Sequence, residues 1–309
     1  MAYDTFIPTI WNEALNRELK PKYKLAQHTN REYEGDVKQA GDSVRILNVG
    51  RPTIYSTTTD SKETFHTNIN GPEMIDNSSI TLQVKQIRYF NYYVGDIDKW
   101  QMLNDGKVMA AYRAETTDAL ANEVDVYLGQ TIFVGADVPV ITNAFSNATY
   151  GYIKVTVGDS ASTAAPGNAQ NVLELLDEVV LKARQNNIPD STPLYVDCTP
   201  KFFGLVRRAL AKFLTDNVKI VEGREYVEYN NLRISWSNNV KTVAAVENQN
   251  AYYEYVTVRT DRAVAYVHPL THSEPYRPEG GFADAIKGYI VFDGMVTRPK
   301  EIFNIKVTY

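Results

Sequence analysis

Two histidines, one cysteine and two clusters of charge are the residues of this 309-residue chain whose types and spacing could do chemistry. His268 and His272 stand four apart with Glu274 close behind, a spacing that on a helix would put two imidazoles on one face as metal ligands. Pro269, next to the first histidine, and Pro275 argue against a helix, and the glutamate that a zinc-protease motif carries between its histidines is missing. The expectation is a pair of ordinary loop histidines. Cys198 closes a strand-like run, Tyr195 to Thr199, with no base implied nearby, and reads as a small core residue. Arg207, Arg208 and Lys212 could meet phosphate, but on a helix they read first as a solvated face whose cations suit the C-terminal dipole. Arg51, Lys62, Glu63 and His66 lie in a polar stretch without sequence-local partners, so they are either solvated or paired with a neighbouring subunit.

Beyond these, the motif search is empty. There is no phosphate-cradling glycine loop, no dinucleotide fingerprint, no nucleophile elbow, no paired cysteines for zinc and no calcium loop. No cofactor and no metal are expected. The balance of 32 basic and 37 acidic residues gives a net charge of −5, which provides no global field for nucleic acid. One cysteine cannot make an internal disulfide, so a reducing compartment fits. The start, Met1-Ala2-Tyr3-Asp4, lacks a signal-peptide pattern, and no run of about 18 apolar residues occurs, so neither secretion by signal peptide nor a membrane partner is expected. The unusual count is 21 Tyr against 11 Phe and 3 Trp, rings with a polar handle that suit half-wet interfaces.

The elements that would carry these residues follow from periodicity. Ile10, Trp11, Ala14, Leu15 and Leu19 predict a short helix capped by Thr9 and stopped at Pro21. Val44 and Ile46, then Ile80, Leu82 and Val84, predict two strands around a polar excursion from Gly50 to Ser79. Thr53 to Thr59 are strand formers, so the excursion reads as a long hairpin, reaching about 45 Å if each arm has about 14 residues. Such a ribbon is marginal alone and needs a surface to lie on. Ile87, Tyr89, Asn91 and Tyr93 continue the second strand with shifted parity, which predicts a bulge near Lys85 to Ile87. Residues 97–133 read as a helix of about 53 Å with a bend at Gly106. A strand near 152–157 and a small-residue loop, 158–168, come next. A helix follows, opened by an Asn171/Glu174 capping box and ended at Asn187-Ile188-Pro189. A strand at 194–197 leads into Thr199-Pro200 and a helix with Phe203, Val206, Leu210 and Phe213. The last third reads as strands at 232–236, 252–259, 264–267, 288–292 and 302–307. The class is α+β.

This order of parts resembles the major capsid (coat) protein of tailed bacteriophages, whose Hong Kong-type capsid fold is shared with herpesvirus floor domains and bacterial encapsulins. Local stretches carry the likeness: Phe6-Ile7-Pro8-Thr9-Ile10-Trp11, the strand entry from Asp36 to Ile46, Asn186 to Pro189 followed by Pro193 to Phe203, and the ending from Gly288 to Pro299. The resemblance implies an N-terminal arm at 1–35, an extended β-hairpin loop with its strands at 36–95, and a peripheral domain with a long spine helix at 96–189. It further implies an axial domain at 190–270 and return strands at 271–309. It implies no enzyme. Copies would form hexamers and pentamers, closing an icosahedral shell around double-stranded DNA that is held without sequence specificity. A separate scaffolding protein and a portal protein would be further partners, and assembly would take place in the cytoplasm of a host bacterium. Phe6, Trp11, Arg51, Ile54, Tyr55, Lys62, Glu63, Phe65 and His66 would make contacts between subunits. Two other classes stay open: an encapsulin-like nanocompartment, and a soluble enzyme using Cys198 or the loop from His268 to Glu274.

Overall fold

The computed structural model describes residues 24–33, 43–48, 52–56, 73–74, 78–95, 105–140, 153–156, 169–211, 218–221, 224–243 and 253–309. The expected helix around Trp11, most of the polar excursion, residues 97–104, the loop at 158–168, and Lys212 with Phe213 lie outside them. None of the described helices is long and apolar enough to cross a membrane.

Strands β1 (Ser43–Asn48) and β2 (Ser78–Gln83) form the expected antiparallel pair, in register from Ser43↔Gln83 to Asn48↔Ser78. Their alternation works as read: Val44 and Leu82 face each other and are buried. Where a bulge was expected, the chain instead changes sheets. Val84 still packs with Val44 and Leu82, the Lys85 N–H donates to Asp293 Oδ2 at 3.0 Å, and β3 (Gln86–Gly95) pairs with a different strand.

That second sheet has the order β12-β13-β3, with β12 spanning Val264–Tyr276 and β13 spanning Ala283–Val296. Here the sequence expectation fails. The strand that was to stop at Val267 bulges between Val267 and Leu270 and continues through Pro269 and Pro275. A proline lacks the N–H for a ladder bond, but β12 is an edge strand and a missing outward donor costs it nothing. His268 and His272 therefore sit on a strand, not in a loop.

Helix α1 (Asp105–Tyr127) covers one face of this sheet and ends in a π turn, Leu128–Ile132, closed by the Phe133 N–H donating to the Leu128 carbonyl. Leu120, Ala121, Val124 and Leu128, a stripe at helical spacing, pack with Tyr266, Ile290 and Phe292. Gly129 in the π turn is there for want of space: a Cβ would lie 2.5 Å from the Asn239 carbonyl oxygen and 2.8 Å from Leu25 Cδ1.

The larger sheet runs β5-β4-β14-β11-β6-β9-β8-β7, with β10 beside β11. Its strands are β4 (Ile153–Thr156), β5 (Ala169–Asn171), β6 (Leu194–Cys198), β7 (Val218–Val221), β8 (Arg224–Tyr229), β9 (Leu232–Trp236), β10 (Thr242–Val243), β11 (Tyr253–Arg259) and β14 (Ile302–Thr308). Helices α2 (Val172–Gln185) and α3 (Pro200–Ala211) share one core with β6, β9, β11 and β14. Asn171 caps α2 by accepting from the Leu173 N–H, and Asn187, at φ 61°, ends it in the left-handed conformation that asparagine tolerates. So α2 packs with the 190–270 segment although it precedes the expected 189/190 boundary, and β12 runs unbroken across 270/271. Strands β7 and β8 add to the sequence reading; Asn230 and Asn231, both at positive φ, form the tight turn from β8 to β9.

Gly129→Ala should lower stability by about 1–3 kcal/mol, the usual cost of overpacking. Gly204→Ala on α3, where a Cβ meets nothing within 4 Å, should raise it by up to about 1 kcal/mol. Urea midpoints of the two variants check both signs.

Candidate assembly surface

The face of the β12-β13-β3 sheet turned away from α1 is only partly covered. Near its base, the β1–β2 pair lies on it, and Val44, Leu82 and Val84 bury against Val267 and Val291. Beyond that cover, among the described residues, the β3 edge of the same face is exposed. Ile87, Tyr89 and Tyr93, at alternate positions of β3, are 51%, 82% and 73% exposed. Register groups the face into rows. Tyr89 stands beside Tyr289 and then His272; Asn91 beside Lys287 and then Glu274; Tyr93 beside Ala285 and then Tyr276.

Polar contacts hold this face in shape without burying it. Lys287 Nζ meets Glu274 Oε1 at 2.5 Å and lies 5.0 Å from the Tyr276 ring centroid, and the Tyr276 hydroxyl donates to Asn91 Oδ1 at 3.0 Å. The Lys287 hydrogen bond holds the Glu274 carboxyl below its ordinary range, and the same bond raises the lysine. The His272 ring sits 5.5 Å from that of Tyr289. The result is a tyrosine-rich, pre-ordered surface, the kind on which large amphipathic rings gain contact area at low entropic cost.

Of the residues expected at subunit contacts, Ile54 and Tyr55 are described, and both are exposed, at 83% and 61%. Phe6, Trp11, Arg51, Lys62, Glu63, Phe65 and His66 lie outside the described residues. Across the excursion, Glu73 accepts from the Thr53 N–H at 3.0 Å and from its hydroxyl at 2.8 Å, so the outgoing and returning chain meet there. Tyr89 and Tyr93 were read as strand residues beside the hairpin. Their period-two spacing held the signal, but which face would stay bare depends on where β1 and β2 end.

The chemistry-bearing residues are placed differently from a catalytic constellation. Cys198 is fully buried, its thiol pushed well up first by burial and then by Asp197 and Glu254, so it is a poor nucleophile. His268 Nε2 lies 3.1 Å from the Thr271 hydroxyl, while His272 lies 3.6 Å from Glu274. No cluster of three His, Cys, Asp or Glu side chains forms among the described residues. Arg207 pairs with Glu225 at 3.0 Å, and Arg208 Nε donates to the Gly204 carbonyl. A polar cluster that sequence did not reveal joins Glu254 to the Tyr309 hydroxyl at 2.6 Å and to the Thr199 hydroxyl; the three positions are too far apart in sequence to signal it.

No protein-family model matches the sequence, and neither does any curated protein. Solved structures do match. A structure from Mycobacterium phage Che8 superposes with a TM-score of 0.60 at 20% identity, covering 92% of this chain and 90% of that one. The capsid structure of cyanophage P-SCSP1u gives 0.58 at 16% identity, over 91% and 86% of the two chains. The virus-like particle from Pyrococcus furiosus gives 0.52 at 12% identity, over 96% and 98%. At these identities the likeness carries the fold: an α+β architecture shared with capsid proteins.

Tyr127 donates to Asp293 Oδ1 at 2.8 Å and Tyr309 to Glu254; burial first, then those bonds, raise both phenols above the ordinary value near 10. Their neutral forms are the folded forms. Their contribution is thus full below pH 10 and is lost as pH rises through the raised values. Melting temperature should fall above pH 10, and in a 295 nm titration part of the tyrosinate absorbance should appear only on unfolding. A single titrating class with unchanged melting would contradict the geometry.

Proposed function

We propose that this chain is a shell subunit: many copies assemble into a closed icosahedral capsid that encloses double-stranded DNA. The observation that carries the reading is the half-covered sheet face, exposed at Ile87, Tyr89 and Tyr93, in a chain that superposes over 91% of its length on a cyanophage capsid structure. In this reading residues 1–35 are the arm and 36–95 the extended loop with its flanking strands, while α1 with the β12-β13-β3 sheet forms the peripheral unit and the larger sheet with α2 and α3 the axial one. The base of the face is already seated under a two-stranded ribbon of its own chain. The remainder takes a ribbon of the same make, the outer part of the hairpin of an adjacent copy, with Ile54 and Tyr55 among its contacts and Arg51, Lys62, Glu63, Phe65 and His66 further out. Phe6 and Trp11 of the arm clamp another neighbour. Burying about 1,000 Å² of apolar surface per subunit, at about 25 cal/mol/Å², gives about 25 kcal/mol gross, enough to offset ordering a ribbon that is marginal by itself.

The task is physical rather than catalytic. Hexamers and pentamers close the shell, a separate scaffolding protein guides them, a portal protein occupies the entry point, and assembly takes place in a bacterial cytoplasm before release as a virion. The net charge of −5 suits a lumen that holds DNA without gripping it. The alternative, an encapsulin-like nanocompartment shell around a protein cargo, would keep the same fold and the same assembly surface. Nucleic acid or a protein cargo co-purifying with the particles separates the two.

Sedimentation tests the assembly itself. The wild type should run as megadalton particles, whereas a deletion of residues 53–67, or Tyr89→Glu with Tyr93→Glu, should leave folded subunits of about 35 kDa with unchanged circular dichroism. Wild-type protein at one to four chains, or normal particles from either variant, would overturn the proposal.

A further inference from the structure

A seven-residue segment near the N-terminus fastens the two larger cores together through buried charge. On α1, Asp125 is buried, and its carboxylate accepts the N–H groups of Lys24 at 2.7 Å, Leu25 at 3.1 Å and Ala26 at 3.2 Å. On β11, Arg259 is fully buried. Its Nε donates to Asp197 on β6 at 2.8 Å, its Nη2 to the Leu25 carbonyl at 2.8 Å, and its Nη1 to the His28 carbonyl. The His28 ring stacks on Tyr195 of β6 at 4.0 Å, and Lys24 Nζ lies 4.4 Å over the Trp236 ring of β9. Two residues on, the Asn30 N–H donates to the Val264 carbonyl and the Asn30 carbonyl accepts from the Tyr266 N–H, adding a parallel bridge to β12. Residues 24–30 thus touch α1 and β12 on one side of the seam and β6, β9 and β11 on the other.

Such a fastening does not open by halves. Lifting Leu25 to His28 takes two carbonyl acceptors from a buried guanidinium and, at the other end, leaves a buried carboxylate short of its donors; each loss alone is costly inside a low-dielectric site. The two ends therefore hold or release together. We propose that residues 24–30 are a cooperative strap that couples the hold on the N-terminal arm to the packing of the helix core against the sheet core. Engagement of residues 1–23 by a second copy tightens the seam, and release loosens it. The first half of the proposal stands on the strap alone; the second rests on the assembling-subunit reading above.

Hydrogen exchange on the full chain tests it. Asp125→Asn keeps the side-chain shape and one acceptor oxygen but removes the charge. It should speed exchange about tenfold at the amides of Lys24, Leu25 and Ala26 and, by a similar factor, at Asn30 and Tyr266, while α2 and α3 keep their protection. Acceleration confined to residues 24–26, acceleration spread evenly over α2 and α3, or no change would each overturn the strap. Should that variant fail to fold, the wild type gives the same answer through its natural opening: Leu25 and Tyr266 must exchange with a common opening constant, and distinct constants overturn the proposal. Assembled wild-type particles should show slower exchange at both positions than dissociated subunits; unchanged exchange overturns the arm coupling. Absence of particles would defeat the proposed function while leaving the strap result decisive.

Discussion

A fully buried arginine sets the terms for this fold. Arg259 lies in the interior, shut off from bulk solvent, so its donors need partners there. Asp197, on the neighbouring strand β6, supplies the countercharge, but one carboxylate does not satisfy a five-donor guanidinium. The carbonyls of Leu25 and His28 supply further acceptors, which draws a distant stretch of chain onto β11 and β6. Once there, that stretch presents its N–H groups to Asp125 and so fixes where α1 can lie. The Phe133 ring, 4.5 Å from the guanidinium, closes the site from the π-turn end of α1. The position of α1 in turn places the β12-β13-β3 sheet, whose buried face rests on its stripe of Leu120, Val124 and Leu128.

From that placement follows the imbalance that matters for function. A three-stranded sheet has two faces, and the described residues cover one and a part of the other. α1 takes the first; the β1–β2 pair takes the base of the second and ends. A chain that folded only for itself would have polar residues beyond that point, and Lys287, Glu274 and Asn91 are indeed there. Between them, however, stand Tyr89, Tyr93 and Ile87, at a cost in exposed apolar surface that another copy can recover. Under the proposed assembly tyrosine would suit both stages, its hydroxyl meeting water in the free chain and its ring supplying contact area when covered. The surplus of tyrosine has a second use as well: Tyr127 and Tyr309 are interior phenols tied to Asp293 and Glu254.

What was legible in sequence was local. The alternation of Val44 and Ile46 against Ile80 and Leu82, the cap and apolar face of α2, and Thr199-Pro200 ahead of α3 are signals contained within a few residues, and each element formed as read. Proline misled at β12, because a breaker rule written for central strands does not bind an edge. The change of sheets at Val84-Lys85 looked like a bulge since both shift parity by one, and only the partner strands tell them apart. The strap carried no signal at all. Asp125 and Arg259 meet residues 24–28 from 99 or more positions away, and single buried charges leave no periodicity. Ile54 and Tyr55 were legible as contact candidates, but the bare face opposite such a ribbon emerges only when the three strands are laid in register.

The central claim is that the tyrosine face is covered by another copy of the same chain. Electron cryomicroscopy of purified particles tests it most directly. The account predicts closed shells with five- and six-fold clusters, and density for a two-stranded ribbon from the adjacent copy lying across Ile87, Tyr89 and Tyr93. A shell in which that face is open to solvent, or a preparation containing only discrete small oligomers, would contradict it.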